Sequence, residues 1–253
     1  MVQVKMKKPK AVLFDVSGTA ARESFVEKVL LPYFKVGVKP YLEANWSQPT
    51  CVDDVQALMR AAAAQGPEAP KADLAASKEK QIAALLKYVD WAQEKGQDQT
   101  RAFALFRFHV WFDGYDRGKL VTPVYSDVAV TIQKWRCDQG IKLYILSNGW
   151  TEATKKFMAK TSHGDLNLLI EEHFDSELGP LTAPDTYGKV LEKIGLATAD
   201  VVFLTKSPEE GKAAKDGGLN VILVLTHRQS VDQALALCKE IPIARTFTEI
   251  EFI

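Results

Sequence analysis

The sequence predicts an α/β protein, a doubly wound parallel sheet with a helical cap domain inserted after the first strand of that sheet. Three observations carry the prediction. Short apolar runs end in polar or glycine-bearing loops: Ala11–Phe14 before Asp15, Ile141–Leu146 (Lys142 apart) before Ser147, Val201–Leu204 before Thr205, and Val221–Leu225 before Thr226-His227-Arg228. Such runs fit strands buried on both faces. From Val124 onward they alternate with stretches of helical period, which implies right-handed crossovers and a parallel sheet. Between the first two runs the helical period continues with very few strand candidates, as an insertion would. The boundaries expected are 1–20 and 124–253 for the core and 21–123 for the cap, placed as a lid above the sheet edge.

The N-terminal decapeptide is basic through Lys5, Lys7, Lys8 and Lys10 and reads as a solvated tail, with nuclear import as the lesser alternative. The apolar run behind it is too short for a signal-peptide core. At Ala11–Thr19 four apolar residues lead straight into Asp15, and Gly18-Thr19 follow. An open α/β sheet presents its chemistry at such strand ends. On this stretch alone Asp15 fits two roles equally: a nucleophile that takes a phosphoryl group, or an ordinary aspartate ending a core strand.

In the insertion, Phe25, Val29, Leu30 and Phe34 share a face broken by Pro32. Val52, Val55, Leu58 and Met59 share another behind a cap at Asp53 or Thr50. Gly66–Pro70 is turn-like, and Ile82, Leu85, Leu86 and Val89 resume a helix. A further helix over Gln99–Trp111 carries Phe103, Phe106, Phe108 and Trp111, which with Phe112 read mainly as hydrophobic lid surface. His109, Trp111 and His173 read as packing residues, and Asp175 as a residue that orients a neighbouring loop. In the core, Gly140 closes a helix bearing Val128, Ile132 and Trp135, a short strand lies near Phe174, and Gly195 ends a helix over Tyr187–Ile194.

Composition excludes several classes. The 253 residues carry 32 basic and 32 acidic side chains, so no global charge favours nucleic acid or an anionic membrane. No apolar run is long enough to span a bilayer. Cys51, Cys137 and Cys238 are widely spaced, which suggests neither a disulfide framework nor a zinc site and fits a reducing, cytoplasmic setting, with the nucleus as an alternative.

The loops at the strand ends should meet at one edge: Asp15–Thr19, Ser147–Gly149, Leu178–Leu181 and Thr205–Glu210. Hydroxyls and amides at Gly18, Thr19, Ser147, Asn148 and Gly149, the last three just before a helix, form a plausible phosphate cradle.

On Leu13–Thr19, His109-Val-Trp111 with Gly114-Tyr115 and Gly118, Lys134-Trp135, Tyr144–Gly149, Gly164-Asp165-Leu166, His173-Phe-Asp175 and Phe203-Leu-Thr205, the chain resembles the haloacid dehalogenase superfamily. Within it, nearly the whole chain resembles the enolase-phosphatase (acireductone synthase) family of methionine salvage. The resemblance implies a haloacid dehalogenase-like core with a helical cap, and a monomer. It also implies magnesium-dependent enolisation and dephosphorylation of a diketo phosphopentane, with Asp15 as nucleophile. Three catalytic positions depart from the family pattern. Ser17 stands where the family has glutamate, Leu181 where it has the lysine of Gly-x-Lys, and Lys206 where it has the magnesium-binding aspartate. Glu210 matches the family's second acid at that motif.

Loss of an acid/base group is worth about a hundred- to ten-thousand-fold in rate. Leu181 cannot neutralise a phosphate, and an ammonium at 206 reverses the charge at a site that wants hard oxygens. The expectation is a pseudoenzyme that binds a small phosphorylated ligand or a protein partner, with no cofactor. The alternative is an active acireductone synthase holding magnesium on Asp15 and Glu210. Lys206 is expected to pair with Asp15, and the phosphate cradle to outlast catalysis.

Overall fold

The computed structural model describes residues 3–73, 75–225 and 228–253. The Thr226-His227 part of the loop expected after the fourth strand lies outside them. The chain divides into two units, one formed by Val121–Ile253 with the N-terminal segment through Phe25, the other by Val26–Leu120.

In the first unit β1 is Val4–Met6, β2 Ala11–Phe14, β3 Lys142–Leu146, β4 Glu172–Phe174, β5 Val201–Thr205, β6 Asn220–Val224, β7 Ile243–Ala244 and β8 Ile250–Phe252. The main sheet runs β4-β3-β2-β5-β6-β7 and every pairing in it is parallel. All four β2 residues are buried, and alternate side chains enter opposite layers, as the two-residue period requires. Val12 and Phe14 join α5 (Ser126–Gln133) and Met158 of α6 (Thr151–Ala159). Ala11 and Leu13 join α7 (Pro184–Ile194), α8 (Pro208–Asp216) and α9 (Arg228–Leu237) through Tyr187, Ala213 and Ala234. From β2 the chain moves outward through β3 and β4, then returns to β5 on the other side of β2. The strand order reverses between β2 and β5, where open α/β sheets leave a crevice. Gly195, at φ 66°, closes α7 in the left-handed conformation that glycine adopts without steric penalty.

The N-terminal segment is not a solvated tail. Val4–Met6 pairs in parallel with Ile250–Phe252, Lys8 donates its backbone N–H to Ile253, and Lys10 pairs with Asp200 at 2.8 Å. Val4 and Phe252 are buried against Trp135 and Phe247, so apolar contact outweighs the local lysines.

In the second unit a π-helical turn, Val26–Leu30, leads into α1 (Leu31–Asn45), followed by α2 (Pro49–Ala64), α3 (Lys78–Glu94) and α4 (Arg101–Asp116). Pro32 does not end the helical run: it is the second residue of α1, directly behind the π-helical turn, and the run changes from π to α just before it. Neither Asp53 nor Thr50 caps α2, which starts at Pro49 with Gln48 before it. Thr100 does cap α4, its hydroxyl accepting from the Phe103 N–H at 3.2 Å.

The aromatic set expected as lid surface is in part the core of this unit. Phe103 and Phe106 are fully buried and flank Phe34 at centroid distances of 5.7 and 5.8 Å. The buried Trp111 indole donates to the Leu30 carbonyl at 2.7 Å. Arg107 lies over the Phe34 and Phe103 rings and pairs with Asp98 at 2.8 Å.

Candidate active site at the strand ends

Register brings the candidate residues together. Phe14 lies beside Ile145 on one side and Leu204 on the other, so the loops after β2, β3 and β5 emerge side by side. Asp15, Ser147 and Thr205 are all buried there. The Asp15 N–H donates to the Leu204 carbonyl at 3.1 Å, which continues the ladder one step past the strand.

The helix-start signature Ser207-Pro208-Glu209-Glu210 places the second carboxylate. Pro208 takes the first helical position, and the Ser207 hydroxyl accepts from the Glu210 N–H at 3.2 Å. The buried Glu210 side chain then accepts from the Thr205 hydroxyl at 2.9 Å and from the Asn148 amide at 2.8 Å. Tyr187 braces the same region by donating to the carbonyls of Leu181 at 2.7 Å and Glu210 at 3.1 Å.

Burial, then the neighbouring Glu210 carboxylate, push the Asp15 carboxyl up from 3.8 to about 7. The Val16 N–H, the Ser147 hydroxyl and the Lys206 ammonium act in the lowering direction without reversing the shift. Near neutrality a large share of Asp15 is therefore protonated, and a protonated carboxyl is a poor nucleophile. The Ser147 hydroxyl also accepts from the Gly149 N–H at 3.3 Å. Asp175 orients the start of α6, accepting from the Thr151 N–H at 2.8 Å and its hydroxyl at 2.6 Å, as the sequence reading anticipated.

The expected pairing of Lys206 with Asp15 is not what the structure shows. The Lys206 backbone N–H donates to the Thr19 hydroxyl at 3.0 Å, and the side chain then runs across Gly18 to the carboxylate of Glu23. Gly18 makes this path available. A Cβ there would stand 2.9 Å from Lys206 Cε and 3.0 Å from Nζ, and the residue also has φ 78°. Glu23 lies far from Lys206 in sequence and belongs to no motif, so sequence reading missed it.

Leu181 is buried in the apolar layer with Phe174 and Tyr187. Ser17 is exposed beyond Asp15.

A family model described as haloacid dehalogenase-like hydrolase matches residues 9–218. Enolase-phosphatase E1 of Salmo salar is 32% identical over 222 residues, covering 85% of this chain and 84% of the relative. The Aquifex aeolicus enolase-phosphatase E1 is 30% identical over 242 residues, covering 96% and 99%. The chain belongs to the enolase-phosphatase family of haloacid dehalogenase-like hydrolases. The crystal structure of UTR4 protein from Saccharomyces cerevisiae shares the fold at a TM-score of 0.68, with 22% identity and coverage of 95% of this chain and 99% of that one.

Active enolase-phosphatases are expected to use magnesium, which one or two carboxylates can hold together with waters and substrate oxygens. Among the described residues, no three His, Cys, Asp or Glu side chains come together where they could hold a metal ion. Asp15 and Glu210 supply two carboxylates, and both oxygens of Glu210 already accept hydrogen bonds. The third nearby position carries an ammonium, whereas magnesium demands octahedral oxygen ligation.

Proposed function

We propose that this enolase-phosphatase homologue has lost efficient magnesium-dependent phosphatase activity and keeps its strand-end loops to bind a small phosphorylated ligand or a protein partner. The observation that supports this reading is Lys206. A cation stands at the end of β5, beside Gly18 and facing Glu23, in the loop where catalysis would call for a metal-binding carboxylate. Loss of that ligand weakens the site's means of drawing charge off a phosphoryl group through a bound metal, an effect worth several kcal/mol. Exposed Ser17 supplies no acid/base group, and buried Leu181 supplies no charge. Hydroxyls and backbone amides remain at Thr19, Ser147 and Gly149, and these suffice to hold an anion. A cytoplasmic monomer is the setting this reading expects.

A second reading, an active acireductone synthase (2,3-diketo-5-methylthiopentyl-1-phosphate enolase-phosphatase) of methionine salvage, is favoured by Asp15. The nucleophile position is retained at the end of β2, with the buried Glu210 close enough to raise its pKa.

Turnover of a small aryl phosphate in excess magnesium separates the two. The purified chain should fall far below about one turnover per second, the lower end of ordinary enzyme rates. A rate at or above that value would overturn the lost-phosphatase reading and leave a working phosphatase, the acireductone synthase or another, in its place. Lys206→Asp should in addition create a magnesium-dependent rise in melting temperature that the wild-type chain lacks.

A further inference from the structure

We propose that Lys206 is the resident cation of a metal-free oxyanion site and that Glu23 is its internal competitor, so that a phosphoryl group binds by displacing Glu23 from the ammonium. The inference rests on the reading that the site works without a divalent ion, and it names the ligand chemistry and the control of that same site.

Three observations meet here. Lys206 is fixed at its root, where its N–H bonds the buried Thr19 hydroxyl, while its stem lies across Gly18. Its ammonium is therefore held over the Asp15–Thr19 loop. Among the described residues, the backbone N–H groups of Ser17, Thr19 and Asn148 meet no protein acceptor. Ser17 and Thr19 flank Gly18, against which the Lys206 ammonium lies, and Asn148 follows Ser147, whose hydroxyl bonds Asp15 of that same loop, so donors from two neighbouring loops accompany one cation, which is the arrangement a tetrahedral oxyanion requires.

The third observation concerns the present partner of the ammonium. The Glu23 side chain is 69% exposed and that of Lys206 31% exposed. An ion pair open to water on this scale is worth little and is easily exchanged. A carboxylate offers the ammonium the same kind of acceptor oxygen that a phosphoryl group does. The doubly charged phosphoryl group can also engage the loop amides, which Glu23 leaves unmet.

Titration calorimetry with inorganic phosphate in EDTA tests this, using the full chain and Glu23→Gln, Lys206→Met, the double variant, and Lys206→Arg as a control that keeps the cation. Wild type should bind without magnesium. Glu23→Gln should bind about two- to fivefold tighter, because the competitor is gone. Lys206→Met should bind at least about tenfold more weakly, and Lys206→Arg should retain most of the affinity. In the Lys206→Met background, Glu23→Gln should give no further gain, since nothing remains to compete for.

If Glu23→Gln tightens binding equally with and without Lys206, it acts only by removing negative charge, and the competitor assignment falls. If Lys206→Met binds as wild type does, the resident-cation assignment falls while the lost-phosphatase reading stands. If wild type binds phosphate only when magnesium is present, the metal-free site falls, and the lost-phosphatase reading is then decided separately by the turnover assay.

Discussion

Each unit of the molecule buries a carboxylate, and the two are treated in opposite ways. In the helical unit Asp54 on α2 is 5% exposed and has dedicated partners on two other helices. The Tyr41 hydroxyl donates to it at 3.0 Å, and His109 Nδ1 lies 2.9 Å from each of its oxygens. In the α/β unit Asp15 is 8% exposed and sits beside a second buried carboxylate, Glu210, which commits its own oxygens to Thr205 and Asn148. Asp54 is held by its surroundings as a structural element. Asp15 is held against its own ionisation. A buried charge stabilises only when its partners are in place, and that contrast separates a packing residue from a site residue.

The largest effect should come from pushing the contrast to its limit, with a new charge buried where no partner exists. Leu181→Lys restores a family lysine in name, yet the Leu181 side chain is 1% exposed within the layer of Phe174 and Tyr187. We expect a loss of about 4 kcal/mol in urea unfolding, or a loop that refolds to bring the lysine out. A near-neutral result would mean that the Leu178–Leu181 turn moves freely. Next in size is Asp54→Ala, which strips the acceptor from both Tyr41 and His109 and should cost about 3 kcal/mol by the same measurement.

Much of this was legible in the sequence, and the rest was hidden for physical reasons. Ala11–Phe14 and Val201–Thr205 could be read because strands covered on both faces are continuously apolar, and Asp15 follows at once. The pairing of Val4–Met6 with Ile250–Phe252 could not, since three residues carry no usable period and the partner lies at the other end of the chain. Lys206 was recognised as a foreign charge in the right loop, but its direction depends on the open space over Gly18 and on Glu23. Leu181 stood at the right motif position, and only packing shows that its side chain belongs to the core. Periodicity marked Phe103 and Phe106 as apolar without saying whether they faced solvent or one another; they face Phe34.

Asp15→Asn should have the opposite sign from Asp54→Ala. The amide keeps an acceptor for the Val16 N–H and removes the charge that burial and Glu210 oppose, so the variant should be about 2 kcal/mol more stable than wild type at pH 8. The pH profile fixes the cause. A carboxyl raised from 3.8 to about 7 binds its proton more tightly in the folded chain. Its stabilising contribution is therefore complete below about pH 4 and is lost as pH rises through about 7. The advantage of the variant should grow across that window and vanish at its acid end. A constant difference from pH 4 to 8 would show that the titration of Asp15 is not responsible.

The smallest effect on stability, and a useful one for chemistry, belongs to Ser17→Glu. Ser17 is exposed at the loop after Asp15, so a longer acidic side chain meets water there, and unfolding free energy should change by no more than about 0.5 kcal/mol. The substitution supplies the acid/base group alone, while the ammonium of Lys206 and the buried Leu181 remain as they are. Groups that act together on one phosphoryl transfer do not contribute additively, so phosphatase turnover in magnesium should stay near background. A jump to about one turnover per second would show that Lys206 is compatible with catalysis and that a single missing proton carrier had silenced Asp15.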